Sequence, residues 1–356
     1  MMRIGILTFH RAVNYGAVLQ AYALNKSIKD MGHDCDIIDY KCDKIENVVS
    51  PFAGFRNGDN WIKSFIQMFF RIRKNKAFNS FIKKYISLSE EEYTSNDIAK
   101  ADNKYDCFFS GSDQVWNYAC TDGDEAYFLD FVSDGKKKNA YAASFGFEKR
   151  PDYDKFDYEK LLDDFSGISV REESGKTLIK EFAGKDCRVV VDPTLLLSAK
   201  EWETVVGERP MKEDYIFVYN IREPKDLLNY AEQLSKKTGC KIINAKKSAE
   251  FFAKCSPADF MAWIYYSRYF VTNSFHGTVF SILFKKKFAI ELDNGKSVNN
   301  RSKELLELVG ITDRELDMNN IMYVENDIDY TQAARVLEEQ KKEAIGFITE
   351  CIAKAK

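Results

Sequence analysis

Only three histidines occur in 356 residues, and the eight cysteines, at 35, 42, 107, 120, 187, 240, 255 and 351, form no C-x-x-C pair and have no histidine at ligand spacing. That argues against structural zinc and predicts buried thiols in a reducing compartment. No stretch approaches the roughly 18 uninterrupted apolar residues that a membrane span needs. The apolar run in the opening MMRIGILTFHR is too short for a signal peptide and meets polar residues rather than a cleavage site, so the expected location is the cytoplasm. G-x-G-x-x-G is missing, which removes the dinucleotide fingerprint, and there is no internal repeat or low-complexity tract. With 52 basic against 55 acidic residues the net charge is -3, and no global field draws the protein onto nucleic acid.

What is present is a soluble globular composition, 45% hydrophobic and 30% charged, in a chain long enough for about two domains. Short aliphatic runs alternate with helical spacing from Arg3 to Val191 and again from Tyr215 to Val309, which predicts two α/β, Rossmann-like sheets. Pro193 and the polar stretch after it mark the break. The expected division is therefore residues 1–194, residues 195–329, and a terminal helix at 330–356 that packs back on either domain.

Polar clusters follow several of these runs, at the edge where open α/β sheets bind ligands. In the stretch from Arg268 to Glu291, an apolar strand leads through Thr272, Asn273 and Ser274 to His276, Gly277 and an apolar helix. Backbone N–H groups at that helix start would face an anion, with His276 as a proton donor or acceptor; the same residues also read as a capping cluster. Asn14, Tyr15 and Gly16 follow the first strand and suit either ligand contact or turn chemistry. Gly111-Ser112-Asp113-Gln114-Val115-Trp116-Asn117 follows another, where Asp113 is a candidate proton acceptor or simply a helix cap. Arg171 ends a strand at Val170; it calls for an anion, either a ligand or its neighbours Glu172 and Glu173. Trp61 to Tyr85 is basic throughout, with Trp61, Phe65, Met68, Phe69 and Ile72 at helical spacing. It reads as a helix for an anionic membrane surface or as a cap helix with a solvated basic face.

Taken in order, Asn14 to Leu24, Gly111 to Asn117, Ser169-Val170-Arg171-Glu172, Val191 to Leu196 and Ser274-Phe275-His276-Gly277 resemble the polysaccharide pyruvyl transferase family over roughly Arg3 to Val309. The resemblance implies a fold similar to GT-B glycosyltransferases, two Rossmann-like domains facing across a cleft, acceptor side first and donor side second. It further implies that phosphoenolpyruvate, as co-substrate and without metal or other cofactor, gives a pyruvate ketal to a sugar of a cell-surface polysaccharide or glycan precursor. The acceptor would be a saccharide, free or lipid-linked, met in the cytoplasm or at the inner face of the membrane. It maps the anion-binding arginine to Arg171 and the histidine to His276; in a mechanism built on these, His276 is the expected acid and Asp113 the expected base. Asn14, Tyr15 and Gln114 are expected at the sugar, and Ser274, Gly277 and Arg301 at the anion, with Lys285 to Lys287 either helping there or solvated. Replacing His276 or Arg171 by alanine is then expected to abolish phosphate release with little loss of stability. The alternatives are a GT-B glycosyltransferase using a nucleotide sugar and a non-catalytic sugar- or anion-binding protein.

Overall fold

The computed structural model describes residues 1–56, 60–292 and 300–356. They form two compact units, Met1–Leu197 with Gln340–Lys356, and Ser198–Glu339. The break falls after Leu197 rather than at 194 because Asp192 caps a short turn, Pro193–Leu195, that packs on the first helix and buries Leu195, Leu196 and Leu197.

In the first unit the strands are β1 (Arg3–Leu7), β2 (Asp34–Tyr40), β3 (Leu88–Tyr93), β4 (Cys107–Ser110), β5 (Lys138–Ala143), β6 (Gly167–Val170) and β7 (Arg188–Val189). They lie in the order β3-β2-β1-β4-β5-β6-β7, with every neighbouring pair parallel. Helix α1 (Tyr15–Asp30) follows β1, while α2 (Asp43–Val49), α3 (Ala53–Arg56) and α4 (Trp61–Tyr85) connect β2 to β3. Next come α5 (Tyr118–Thr121) after β4, α6 (Tyr158–Leu162) before β6 and α7 (Glu173–Ala183) after it. Strands β4 and β5 are buried at every position, as parallel strands covered on both faces must be. Strand β3 has no counterpart in the sequence reading. Its LSEEEY segment carries three consecutive glutamates, which only an edge strand tolerates, and just Ser89 and Tyr93 are buried.

The second unit contains α8 (Ala199–Glu203), β8 (Tyr215–Tyr219), α9 (Leu227–Thr238), β9 (Lys241–Asn244), α10 (Ala249–Lys254), α11 (Pro257–Tyr265), β10 (Tyr269–Thr272), α12 (Phe275–Leu283), β11 (Lys287–Ile290) and α13 (Asn300–Leu308). Its four strands are parallel in the order β11-β10-β8-β9. Helix α14 (Tyr330–Lys354) begins in this unit and ends in the first. There Arg188 pairs with Glu350 at 2.7 Å, and a Cβ on Gly167 would stand 2.5 Å from Cys351 Sγ, so β6 accepts the helix only with glycine at that position.

In each sheet the chain order reverses beside the strand that comes first, between β1 and β4 and between β8 and β10. The carboxyl ends of those strand pairs are where a doubly wound sheet opens a crevice for a ligand. All eight cysteines are free thiols, six of them buried. Among the described residues no helix is long and apolar enough to cross a membrane.

Candidate active site

At the β8/β10 reversal, Thr272 Oγ1 donates to the Tyr219 carbonyl at 2.7 Å and ties the two strand ends together. Asn273 Oδ1 accepts the Ile221 N–H at 2.9 Å, and the Ser274 N–H donates to Thr272 Oγ1 at 3.0 Å. Ser274 Oγ in turn accepts the Gly277 N–H at 3.2 Å, so α12 starts at Phe275 and His276 lies in its first turn. Two arginines are fastened to residues just before this histidine. Arg222 Nη2 donates to the Asn273 carbonyl at 3.3 Å, and the Arg301 guanidinium lies 5.2 Å from the centre of the Phe275 ring. Three cationic or ionisable side chains thus gather at the positive end of a nine-residue helix. The same sheet edge already seats one carboxylate on a helix N-terminus: Glu291 Oε1 accepts the N–H groups of Lys225, Asp226 and Leu227 at 3.1, 2.6 and 2.9 Å.

Gly277 serves packing instead of the anion expected for it. Its N–H is taken by Ser274, and a Cβ there would stand 2.8 Å from Thr272 Oγ1 and 3.2 Å from the Phe270 ring, so glycine lets α12 settle onto β10. Ser274 is accordingly a cap. Lys285, Lys286 and Lys287 lie at the far end of α12, where β11 begins beside Tyr269, on the sheet edge opposite His276. Lys286 Nζ donates to the Tyr265 carbonyl at 2.8 Å, and burial pushes its ammonium down to about 8; Lys287 pairs with Glu325. None of the three is placed to help at the histidine.

At the β1/β4 reversal, Thr8 Oγ1 donates to the Ser112 carbonyl at 3.0 Å and accepts from Gln20 Nε2 at 2.8 Å. A Cβ on Gly111 would be 2.7 Å from Thr8 Cβ, so the two strand ends meet only because residue 111 is glycine. Asp113 follows with φ of 76°, a left-handed conformation that aspartate tolerates better than most residues and that often marks functional turns. Its Oδ1 accepts the Gln114 N–H at 3.0 Å, and its carbonyl accepts the Ser144 N–H at 3.0 Å. Gln114 Oε1 accepts from Asn117 Nδ2 at 2.9 Å. Asn14 is exposed and caps α1 through the Ala17 N–H at 3.3 Å. Tyr15 is buried against α4, where its hydroxyl meets Lys74 and its ring packs 5.1 Å from that of Phe78, so its side chain is committed to the scaffold.

Arg171 is brought to Asp113, but in an environment the sequence did not reveal. Its side chain is 2% exposed and faces three carboxylates: Asp192 at 2.8 Å, Glu172 at 3.4 Å and Asp113 at 3.7 Å. Ser144 bonds the far oxygen of Glu172, and Thr194 donates to Asp192 through both its N–H (3.0 Å) and its hydroxyl (2.6 Å). Burial disfavours the guanidinium charge, yet Glu172, Asp192 and Asp113 outweigh it and hold Arg171 above its ordinary pKa. The arginine is thus the counter-charge that lets β4, β5, β6 and the Pro193 turn converge, and an incoming phosphate would meet three carboxylates there. An internal ion-pair network thus surrounds the arginine expected to bind an anion; of its two neighbours, Glu172 is a partner, while Glu173 opens α7.

Sequence reasoning passed over two groups. Arg222 was hidden because the asparagine and isoleucine after β8 look like a plain turn, although an arginine just beyond a buried strand end was the signal that singled out Arg171. His10 also lies beyond a strand end, just past β1. It is buried, with Nε2 at 2.9 Å from Asp39 and Nδ1 at 3.2 Å from the Thr8 carbonyl, and Arg11 bridges Asp39 and Glu46. Burial pushes Asp39 up, but His10 and Arg11 together hold it below the usual carboxylate value. With both ring nitrogens engaged, His10 braces the β1/β2 edge. Among the described residues no cluster of histidine, cysteine and acidic side chains is placed to hold a metal ion.

Several solved structures share the fold. An α-glucosyltransferase in complex with UDP is 8% identical, with 98% of this chain and 95% of that one aligned at a TM-score of 0.50. A UDP-N-acetylglucosamine 2-epimerase is 11% identical over 97% and 94% at 0.50, and another from Rickettsia bellii 10% over 99% and 97% at 0.49. At such identities the two matches at 0.50 show a GT-B architecture alone. No curated protein matches the chain. The polysaccharide pyruvyl transferase family model, by contrast, matches residues 14–290, from the cap of α1 to the last residue of β11. On that match over more than three-quarters of its length, the chain belongs to the polysaccharide pyruvyl transferase family.

Proposed function

We propose that the protein transfers the pyruvyl group of phosphoenolpyruvate to two hydroxyls of a saccharide, forming a cyclic ketal on a cell-surface glycan precursor. The observation that carries this reading is His276 in the first turn of α12 at the β8/β10 reversal, with Arg222 held at the Asn273 carbonyl and Arg301 at the Phe275 ring just before it. Phosphoenolpyruvate brings a carboxylate and a phosphate, which two guanidinium groups and a helix N-terminus suit. His276, as imidazolium, gives its proton to the methylene carbon, which becomes the methyl group, and the positive charge forms at C2. One sugar hydroxyl adds there and the second displaces phosphate, so two C–O bonds form and the C–O bond to phosphate breaks. Of the two hydroxyl protons, the first is taken by a base and passed to the departing phosphate, and the second restores the imidazolium. Asp113 is the proposed base for the first hydroxyl, with Asn14 and Gln114 at the acceptor, which is supplied in the cytoplasm free or on a lipid carrier.

The test is a thermal-shift screen with phosphoenolpyruvate and with nucleoside diphosphates, followed by phosphate release in the presence of candidate saccharides. Stabilisation by phosphoenolpyruvate, with release abolished in His276→Ala, supports the proposal. Stabilisation by UDP alone would give preference to nucleotide-sugar chemistry; an α-glucosyltransferase of similar fold has been solved in complex with UDP.

A further inference from the structure

Helix α4 has two faces that the chain treats differently. Its inner side is fastened: Ser64 is buried where a Cβ on Gly54 of α3 would touch it at 3.1 Å, Arg71 donates to the Val48 carbonyl at 2.7 Å, and Asn75 to the Val49 carbonyl at 2.9 Å. Farther along, Phe78, Phe81 and Ile82 are buried, and Phe81 packs its ring against Tyr22 of α1. On the outer side of the first three turns stand Trp61, Ile62, Phe65, Ile66, Phe69 and Ile72, exposed by 70, 52, 49, 52, 50 and 46%. At about 100° per residue they cover an arc of roughly 140° along about 17 Å of helix, opposite the fastened side. Phe52 and Phe55 beside α3 are exposed as well. Lone exposed hydrophobics are ordinary on a protein surface; six on one face of a helix anchored along the other mark a binding surface.

Charge tells what covers it. The helix carries Lys63, Arg71, Arg73, Lys74, Lys76, Lys83 and Lys84 and no acidic residue. Arg71 and Lys74 are engaged inside the unit, while Lys63, Arg73, Lys76, Lys83 and Lys84 are exposed. A second copy meeting this face would set two acid-free basic helices against each other, whereas an anionic bilayer accepts the aromatic residues at its headgroup boundary and the lysines at its phosphates. We infer that α4 is a peripheral docking element for anionic membrane. The inference rests on α4 alone and holds whatever reaction the protein performs.

Sedimentation of the full chain with phosphatidylcholine vesicles, with and without phosphatidylserine, tests it. The expected result is binding only to the phosphatidylserine vesicles, weakened by raised salt, at least tenfold weaker in Phe65→Glu/Phe69→Glu and several-fold weaker in Lys63→Ala/Arg73→Ala/Lys76→Ala. All five positions are exposed, so both variants should keep the wild-type circular dichroism and melting temperature. Absence of vesicle binding, or binding that the double glutamate variant leaves unchanged, overturns the inference. So does a mass twice 41.1 kDa in light scattering that the same variant halves without any lipid binding, since that would identify an interface between copies.

Discussion

Arg171 offers the sharpest division between a ligand and a structural counter-charge. In Arg171→Met the side chain keeps much of its volume but removes the guanidinium that Asp113, Glu172 and Asp192 share, two of them 9% exposed or less. Removing one partner of a buried ion pair costs about 3–5 kcal/mol, because the remaining charge stays buried without its compensation. For a unit of about 200 residues each kcal/mol moves the melting temperature by roughly 2–4 °C, so the first unit should melt about 6–20 °C lower. Two units need not unfold together, so differential scanning calorimetry of the full chain should show one transition displaced and the other in place. Adding Glu172→Gln should recover part of the loss, a rescue that a substrate-binding arginine would not show. The reasoning fails if Arg171→Met melts at the wild-type temperature yet is no longer stabilised by phosphoenolpyruvate. That outcome would return the arginine to the anion site that the sequence motif suggested.

His276→Ala should abolish phosphate release while leaving the melting temperature within about 1 °C, since the side chain lies on a partly exposed first turn; residual turnover near wild type would remove it from the chemistry. Arg222→Ala is expected to raise KM for phosphoenolpyruvate by tenfold or more, and an unchanged KM would mean that the arginine only braces Asn273. Lys286→Met should stabilise the second unit at pH 7 by about 1–2 kcal/mol, the cost of a half-desolvated ammonium discounted for residual solvent. Because burial lowers this lysine from 10.5 to about 8, its cost is complete below pH 8 and disappears as the pH rises toward 10.5, so the gain of the variant should fade over that window. A constant gain from pH 7 to pH 10 would locate the effect in packing. A chain ending at Glu339 should lose the transition of the first unit, although every residue removed lies at the far terminus.

The alternation of strand and helix was plain in the sequence because parallel strands buried on both faces are nearly continuous apolar runs, as in Cys107–Ser110 and Tyr269–Thr272. Strand β3 escaped because an edge position tolerates three glutamates that erase the pattern. The positions of His276 and Asp113 were legible from a local signal, polar residues placed just past a buried strand. Their surroundings were not: Glu172 is Arg171's neighbour in the chain, but Asp192 and Asp113 reach Arg171 from separate loops, and only the folded sheet brings them within 4 Å. Gly277 shows the same limit: a glycine at a helix start reads as a place for an anion, while the contact that requires it comes from Thr272 behind it.

Helix α14 carries one further consequence, for synthesis on the ribosome. The first unit begins at Met1 but is completed only by Gln340–Lys356, with the whole second unit encoded in between. While the chain emerges, β6 and β7 therefore lack the cover that Cys351 and Glu350 later provide, and the second unit can mature before the first has closed. Completion of the first unit therefore waits for Gln340–Lys356, and until then the sheet edge at β6 and β7 is where a chaperone would have most to hold.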